Sequence, residues 1–360
     1  MNKILALGGD GIGPEILSHG LDLIEHVASI ANIQFEIEYG LLHGASYEIS
    51  GSFCTEEVLN KARNANAVLV GAVGGASWDN IVMPGGPECQ DGLMYLRHHL
   101  QTFLGLRPAR SYDTTFSTSP FDANSIANID ILILREMCGG AMFAKERGQR
   151  MTYEGRQGYD LTAYNEKEIY RFAQAGFELA RQRRQKLVSC DKSNVMESYK
   201  LWRGVVTEVS HDYPDVNFKN MFADNFGFQM IKQPKDFDVV LCCNQLGDIF
   251  SDLTGAFSGS LGMLPSACLS SSPSNGSTFG IYESTSGSAP DIAGKGIANP
   301  IGTILAVAMM FEYSFKRPDL SLAINKAVEK TLKDGIKTKD VGGVETSEEM
   351  TNAIKKRLNL

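Results

Sequence analysis

Phe237-Asp238-Val239-Val240-Leu241-Cys242-Cys243-Asn244-Gln245-Leu246-Gly247-Asp248-Ile249-Phe250-Ser251-Asp252 decides how the rest of the chain is read. Phe237 to Cys243 is short, apolar apart from Asp238 and closed by a polar residue, which is the pattern of a buried strand. From Gly247 to Phe257 the spacing turns helical. Asp248 and Asp252 are four apart, so on a helix they lie one above the other on one face. Like charges so placed repel by a few tenths of a kcal/mol unless a cation sits between them. Carboxylate oxygens suit a hard divalent ion such as Mg2+ or Mn2+. An isolated Asp-x-x-x-Asp is more often a solvated helix face. Its position at the carboxyl end of an apolar strand favours a site, because open α/β sheets bind ligands there.

Towards the N-terminus, strand and helix patterns alternate. Lys3 to Leu7 reads as a strand, and Gly8-Gly9-Asp10-Gly11-Ile12-Gly13-Pro14-Glu15 leads into an amphipathic helix ending near Ile30, with Pro14 suited to a first helical turn. Ile33 to Tyr39 and Ala67 to Gly71 read as strands, with a helix from Thr55 to Arg63 between them. Such alternation predicts an α/β fold with a doubly wound, mostly parallel sheet. The glycine loop is not the dinucleotide fingerprint: counted from Gly9, the last glycine would fall on Pro14. By itself the loop is as readily a tight strand-to-helix turn.

Three arginines fall near predicted element ends. Arg97 follows Leu93 and Met94 on a short helix, Arg107 lies in Leu106-Arg107-Pro108, and Arg135 ends Ile129 to Leu134, a strand apolar apart from Asp130. Arginine suits bidentate carboxylate recognition. Any one of them alone reads as a surface ion pair; three together make a carboxylate cradle. Cys138 to Asp160 lacks core periodicity and reads as an extended hairpin or arm. Asn165 to Arg184 is a helix with Asn165 and Glu168 as its capping pair. Lys192 follows the strand Lys186 to Cys190, where it would be a base if desolvation lowers its pKa, although a lone lysine there is more often solvated. Asp224 follows the strand Val216 to Phe222, where it is also an ordinary helix cap. Ser270 to Ser277 reads as a surface loop, and Gly287 to Pro300 as a Gly/Pro segment feeding a helix from about Ile301 to Lys316.

The chain has 360 residues, 43% of them hydrophobic, enough for a full core in two domains. A formal charge of −8 argues against nucleic acid as a partner. Any anionic substrate must therefore be drawn in by a few placed cations. The seven cysteines form no Cys-x-x-Cys pair, and the six histidines are scattered and read as structural or surface residues. An odd cysteine count without a signal peptide predicts a cytoplasmic protein, and no apolar run approaches membrane-spanning length.

Taken in order, six motifs resemble those of the β-decarboxylating dehydrogenases that act on isocitrate, isopropylmalate, homoisocitrate, tartrate and D-malate. They are Gly9-Asp10-Gly11-Ile12-Gly13-Pro14-Glu15, Leu106-Arg107-Pro108, Arg135-Glu136, Asp191-Lys192-Ser193-Asn194-Val195, Asn244 to Asp252, and Gly287-Ser288-Ala289-Pro290-Asp291-Ile292-Ala293-Gly294. Gly139-Gly140, Asp212-Tyr213-Pro214-Asp215 and Gly262-Met263-Leu264-Pro265-Ser266 point to the branch acting on 3-alkylmalates. The resemblance implies a doubly wound fold that is not Rossmann. Its first domain would be discontinuous, 1–102 with 259–360 on the cofactor side. A metal and dimerisation domain would span 103–258, with an intersubunit arm at about 137–162. It implies that Arg97, Arg107 and Arg135 hold the malate carboxylates, with Leu93 and Met94 beside the 3-substituent. Asp248 and Asp252 of one subunit, with Asp224 of the other, would ligate Mg2+ or Mn2+. Lys192, also from the other subunit, would be the base. NAD would lie along Ile12, Gly287, Ser288, Ala289, Pro290, Asp291, Ile292 and Asn299, with Asp291 favouring it over NADP. The expected protein is thus a homodimer with shared active sites. One position departs from the family: Met142 stands where a proton-donating tyrosine is usual. That leaves three readings: an active 3-alkylmalate enzyme in which water or a nearby hydroxyl such as Tyr153 substitutes, an enzyme for a different 3-substituent, or a low-activity or regulatory paralogue.

Overall fold

The apolar run before Asn244 is a strand because its residues can be buried on both faces, as an internal parallel strand requires. The computed structural model describes residues 2–359, and in chain order its strands are β1 (Asn2–Gly9), β2 (Phe35–Gly40), β3 (Ala67–Ala72), β4 (Leu104–Arg110), β5 (Asp130–Glu136), β6 (Arg147–Thr152), β7 (Gly155–Asp160), β8 (Lys186–Asp191), β9 (Asn217–Phe222), β10 (Val239–Cys242), β11 (Pro265–Leu269) and β12 (Gly280–Ser284). The helices are α1 (Gly13–Ala31), α2 (Gly44–Ser50), α3 (Glu56–Asn64), α4 (Gly92–His99), α5 (Ala123–Ile126), α6 (Glu166–Arg181), α7 (Glu197–Ser210), α8 (Ala223–Lys232), α9 (Asn244–Leu253), α10 (Gly255–Ser258), α11 (Ile301–Tyr313), α12 (Pro318–Lys333) and α13 (Ser347–Lys355).

Ten strands form one sheet in the order β2-β1-β3-β12-β11-β4-β5-β10-β8-β9. The outer blocks β2-β1-β3-β12 and β5-β10-β8-β9 are parallel throughout. Between them the three pairings β12-β11, β11-β4 and β4-β5 are antiparallel, so the two blocks run in opposite directions. The sheet is mostly parallel, as the alternation predicts, and its order is not that of a Rossmann fold. Strands β11 and β12 escape a reading of sequence pattern. They are five residues each, and Pro265-Ser266-Ala267-Cys268-Leu269 has neither alternation nor β-branched residues.

Helices cover the sheet. Ile301 to Phe311 of α11 are all buried, packed against β11 and β12 and beneath α1 and α12. This helix ends at Tyr313, with Ser314 as its C-cap, short of the expected Lys316, which takes a left-handed φ of 52°. On α6 the capping box is complete: Asn165 accepts from the Glu168 N–H, and Glu168 accepts from the Asn165 N–H, both at 3.0 Å. The expected arm is the separate hairpin β6-β7, paired from Arg147↔Asp160 to Thr152↔Gly155 and almost wholly exposed.

Candidate active site

Three elements deliver the arginines to one cleft of about 720 Å3. Arg97 comes from α4, whose N-cap Asp91 accepts the Met94 N–H at 2.7 Å. Arg107 lies within β4 and Arg135 near the end of β5. All three are buried. Arg97 donates to Glu283 of β12 at 2.5 Å. Arg107 donates to Ser251 Oγ at 3.1 Å and Asp252 Oδ1 at 3.3 Å. Arg135 donates from Nε to Asn244 Oδ1 at 2.9 Å and from Nη1 to Asp248, and its Nη2 lies 3.4 Å from Met142 Sδ. Gly247 permits this approach, since a Cβ there would lie 2.7 Å from Arg135 Cβ.

Each arginine has a carboxylate partner, but the cradle keeps more donors than those partners satisfy. The Nε atoms of Arg97 and Arg107 are buried without a hydrogen-bond partner. Burial and then Arg107 push Arg135 down to about 10, against the opposing pull of Asp248. Buried cations so placed need an anion, and carboxylates with two oxygens each fit guanidinium forks. Leu93, Met94 and Met142 line the same cleft and give it an apolar wall.

Asp248 and Asp252 project from α9 as its four-residue spacing requires, with side chains 39% and 47% exposed. Burial pushes the Asp252 carboxyl above its ordinary value, and Asp248 adds to this against the pull of Arg107. A divalent cation would relieve both effects, and the oxygen-only donors suit Mg2+ or Mn2+. Asp224 is not a helix cap: α8 already starts at Ala223, with Phe222 in the cap position. Its carboxylate instead accepts from Lys192 Nζ at 2.8 Å, and that ammonium holds it below its ordinary value. Neither Lys192 nor Asp224 lines the arginine cleft of its own chain. Among the described residues no group of three or more His, Cys, Asp and Glu is gathered as metal ligands. The chain therefore presents two separate clusters, an arginine–carboxylate cleft and a lysine–aspartate pair.

The glycine loop and the 287–299 segment meet. Ile12 N–H donates to Ser288 O at 2.8 Å, and a Cβ at Gly11 (φ 57°) would lie 2.0 Å from that oxygen. Ile12 is buried, with Ala289 and Ile292 packed beside it. Gly287 lines the cleft and faces open space, while Pro290 and Asp291 are exposed. Asn299 is less available than expected: its amide donates to Asp340 at 3.0 Å and accepts from the Ile301 N–H at 3.0 Å. Tyr153, at the hairpin turn, is 97% exposed and does not line the cleft of its own chain.

Sequence reasoning missed Glu283, which lies on the unread strand β12. It missed Asn244 as the orienter of Arg135, whose Nδ2 also donates to Gly139 O at 3.1 Å. It missed Glu15 too, which accepts from the Gly296 and Ala298 N–H groups and from Ser347 Oγ at 2.8 Å. Glu15 stood inside a motif already singled out, and an acidic residue in a first helical turn was the available signal.

An anion cradle, an acidic helix face and two glycine-rich segments in contact define an α/β protein with a site for an anionic ligand. The chain belongs to the isocitrate/isopropylmalate dehydrogenase family, whose model matches residues 3–354. It is an enzyme of that family. The 3-isopropylmalate dehydrogenase of Xanthomonas oryzae pv. oryzae (strain MAFF 311018) is 47% identical over 340 residues, 94% of this chain and 93% of the relative. That of Methylococcus capsulatus is 44% identical over 353 residues, 98% and 96% of the two chains. Among solved structures, isocitrate dehydrogenase from Methylococcus capsulatus superposes with a TM-score of 0.87 at 28% identity over the whole of both chains. A Thermus thermophilus protein, TT0538, superposes with a TM-score of 0.83 at 28% identity, covering 99% of this chain and 68% of that one. No helix among the described residues is long and apolar enough to cross a membrane.

Proposed function

We propose that the protein oxidises and decarboxylates 3-isopropylmalate to 2-oxo-4-methylpentanoate and CO2 with reduction of NAD, a step of leucine biosynthesis. The observation that carries this reading is the convergence of three buried arginines, two with unpartnered Nε atoms, beside an apolar wall and an acidic helix face. The similarity to 3-isopropylmalate dehydrogenases supports it.

Arg97, Arg107 and Arg135 hold the two carboxylates and orient the C2–H bond. Leu93 and Met94 take the isopropyl group; an isocitrate carboxylate placed there would be buried against hydrocarbon. Asp248 and Asp252, with Asp224 of the partner subunit, would hold Mg2+ or Mn2+, and Lys192 of the partner subunit, once a neutral amine, would accept the hydroxyl proton. When bound, the metal supplies Lewis-acid stabilisation of charge on oxygen and NAD supplies the hydride acceptor. Asp291 accepts from a free ribose 2′-OH and repels a 2′-phosphate. The same reading divides the chain into 1–102 with 259–360, and 103–258; the insertion of β11 and β12 between β3 and β4 supports this division. Apolar side chains left half-exposed on α8 (Phe228, Ile231) and α9 (Ile249, Leu253), on the helices that carry the aspartates, support a homodimer.

A second reading, a dehydrogenase of another 3-substituted malate, is favoured by Met142 alone. The test is turnover of 3-isopropylmalate, D-malate and isocitrate with NAD and Mn2+. Isopropylmalate should be preferred over isocitrate by a wide margin; isocitrate turned over equally well would refute the proposal.

A further inference from the structure

His43 is a buried histidine in a conformation that a histidine rarely adopts. It precedes α2 with φ 56° and ψ −127°, a region L side chains avoid and glycine tolerates. Only 5% of it is exposed. Nδ1 lies 2.8 Å from Asp10 Oδ2, and Nε2 lies 3.4 Å from Asp91 Oδ2. Phe53 stacks on the ring, with centroids 4.7 Å apart. Nδ1 is hydrogen-bonded to Asp10 and Nε2 faces Asp91 at ion-pair distance, and a carboxylate at each ring nitrogen favours the imidazolium.

Its two partners belong to the glycine loop and to α4. Asp10 lies in the glycine loop and also accepts from the N–H groups of Ala45 at 3.0 Å and Gly74 at 2.9 Å. Asp91 is the N-cap of α4; its other oxygen receives the Met94 N–H, and α4 carries Leu93, Met94 and Arg97. Arg97 stands behind Asp91 as the next charge. A glycine at position 43 would satisfy the backbone but would empty the space the ring fills against Phe53. What histidine adds is a cation between two carboxylates that glycine would leave facing each other.

We infer that His43 is a positioning residue, whose imidazolium clamps the substrate helix α4 to the glycine loop and so fixes where Leu93, Met94 and Arg97 meet the substrate. The inference rests on reading the cleft as the alkylmalate and dinucleotide site. The clamp acts on ground state and transition state alike, so its loss raises KM more than it lowers kcat. Burial works against the charge, but hydrogen bonds to Asp10 and Asp91 hold the imidazole at about 9.

The test compares native protein with His43→Gly and His43→Gln, using 3-isopropylmalate, NAD and Mn2+. For both variants the KM for isopropylmalate should rise about tenfold with kcat within about twofold. His43→Gly, freed of the backbone strain, should melt no lower than His43→Gln. The native KM should climb as pH passes about 9, and the variants should lack that limb. Hydrogen exchange in ligand-free protein should show faster exchange of the Met94 amide in both variants. That measurement decides the clamp even if the native protein turns over no alkylmalate, which would refute the proposed function separately. Unchanged Met94 protection, or an unchanged KM in stably folded His43→Gly, would overturn the inference.

Discussion

On the proposed function, Met142 takes the place of a proton-donating tyrosine in the cleft. Its sulfur faces Arg135 and can donate no proton. A positioned general acid contributes about 10²–10⁴-fold, so native turnover should be limited by the late protonation. Met142→Tyr should raise kcat with isopropylmalate, and the solvent isotope effect of the native enzyme should vanish in the variant; rates already at the level of its relatives, with no gain, would show that another group has taken the role. Ser284 and Ser286 place hydroxyls on the same cleft. His43 gives a second prediction, on stability. Its folded value of about 9 exceeds the ordinary 6.5, so its contribution is complete below pH 6.5 and is lost as pH rises through about 9. The difference amounts to roughly 3 kcal/mol, comparable to the roughly 1–3 kcal/mol cost of its backbone conformation. Melting temperatures followed up to about pH 10 should fall further for native protein than for His43→Gly.

Elements were legible in the sequence where local chemistry dictated them. The Asn165–Glu168 box announced α6, and Asn165→Ala should cost about 1 kcal/mol, readable as a small drop in the urea midpoint at unchanged slope. The strand before Asn244 and the face carrying Asp248 and Asp252 followed from periodicity. The three arginines followed from their places at element ends. What stayed hidden was non-local. Glu283 becomes an arginine partner only because β12 pairs with β3, far back in the chain. Asp224 had a sound local reading as a cap, and only the cap of α8 lying two residues earlier, at Phe222, displaced it. His43 lay between predicted elements, and no pattern marks a histidine whose partners are distant in sequence. The wall formed by Leu93 and Met94 belongs to this scale as well. Leu93→Ala should weaken the preference for isopropylmalate over D-malate by about 1–3 kcal/mol, measured as the ratio of their kcat/KM values.

At the scale of the whole molecule, the proposed function makes activity the property of a dimer, because Lys192 and Asp224 lie outside the arginine cleft of their own chain. Lys192→Ala and Asp248→Asn should each be inactive. Refolded together they should regain about a quarter of native activity, because random pairing gives one intact site in each mixed dimer. If mixed dimers form and remain inactive, the shared site is refuted. The sheet order has a consequence for synthesis. The block β2-β1-β3 reaches the rest of the sheet only through β11 and β12, so β3 keeps an open edge until residue 284 has left the ribosome. During that interval the nascent chain exposes an unpaired, wholly apolar strand, Ala67-Val68-Leu69-Val70-Gly71-Ala72. Translation stalled before Pro265 should therefore yield chains that bind chaperones or precipitate, while a short further extension through Ser284 closes the edge.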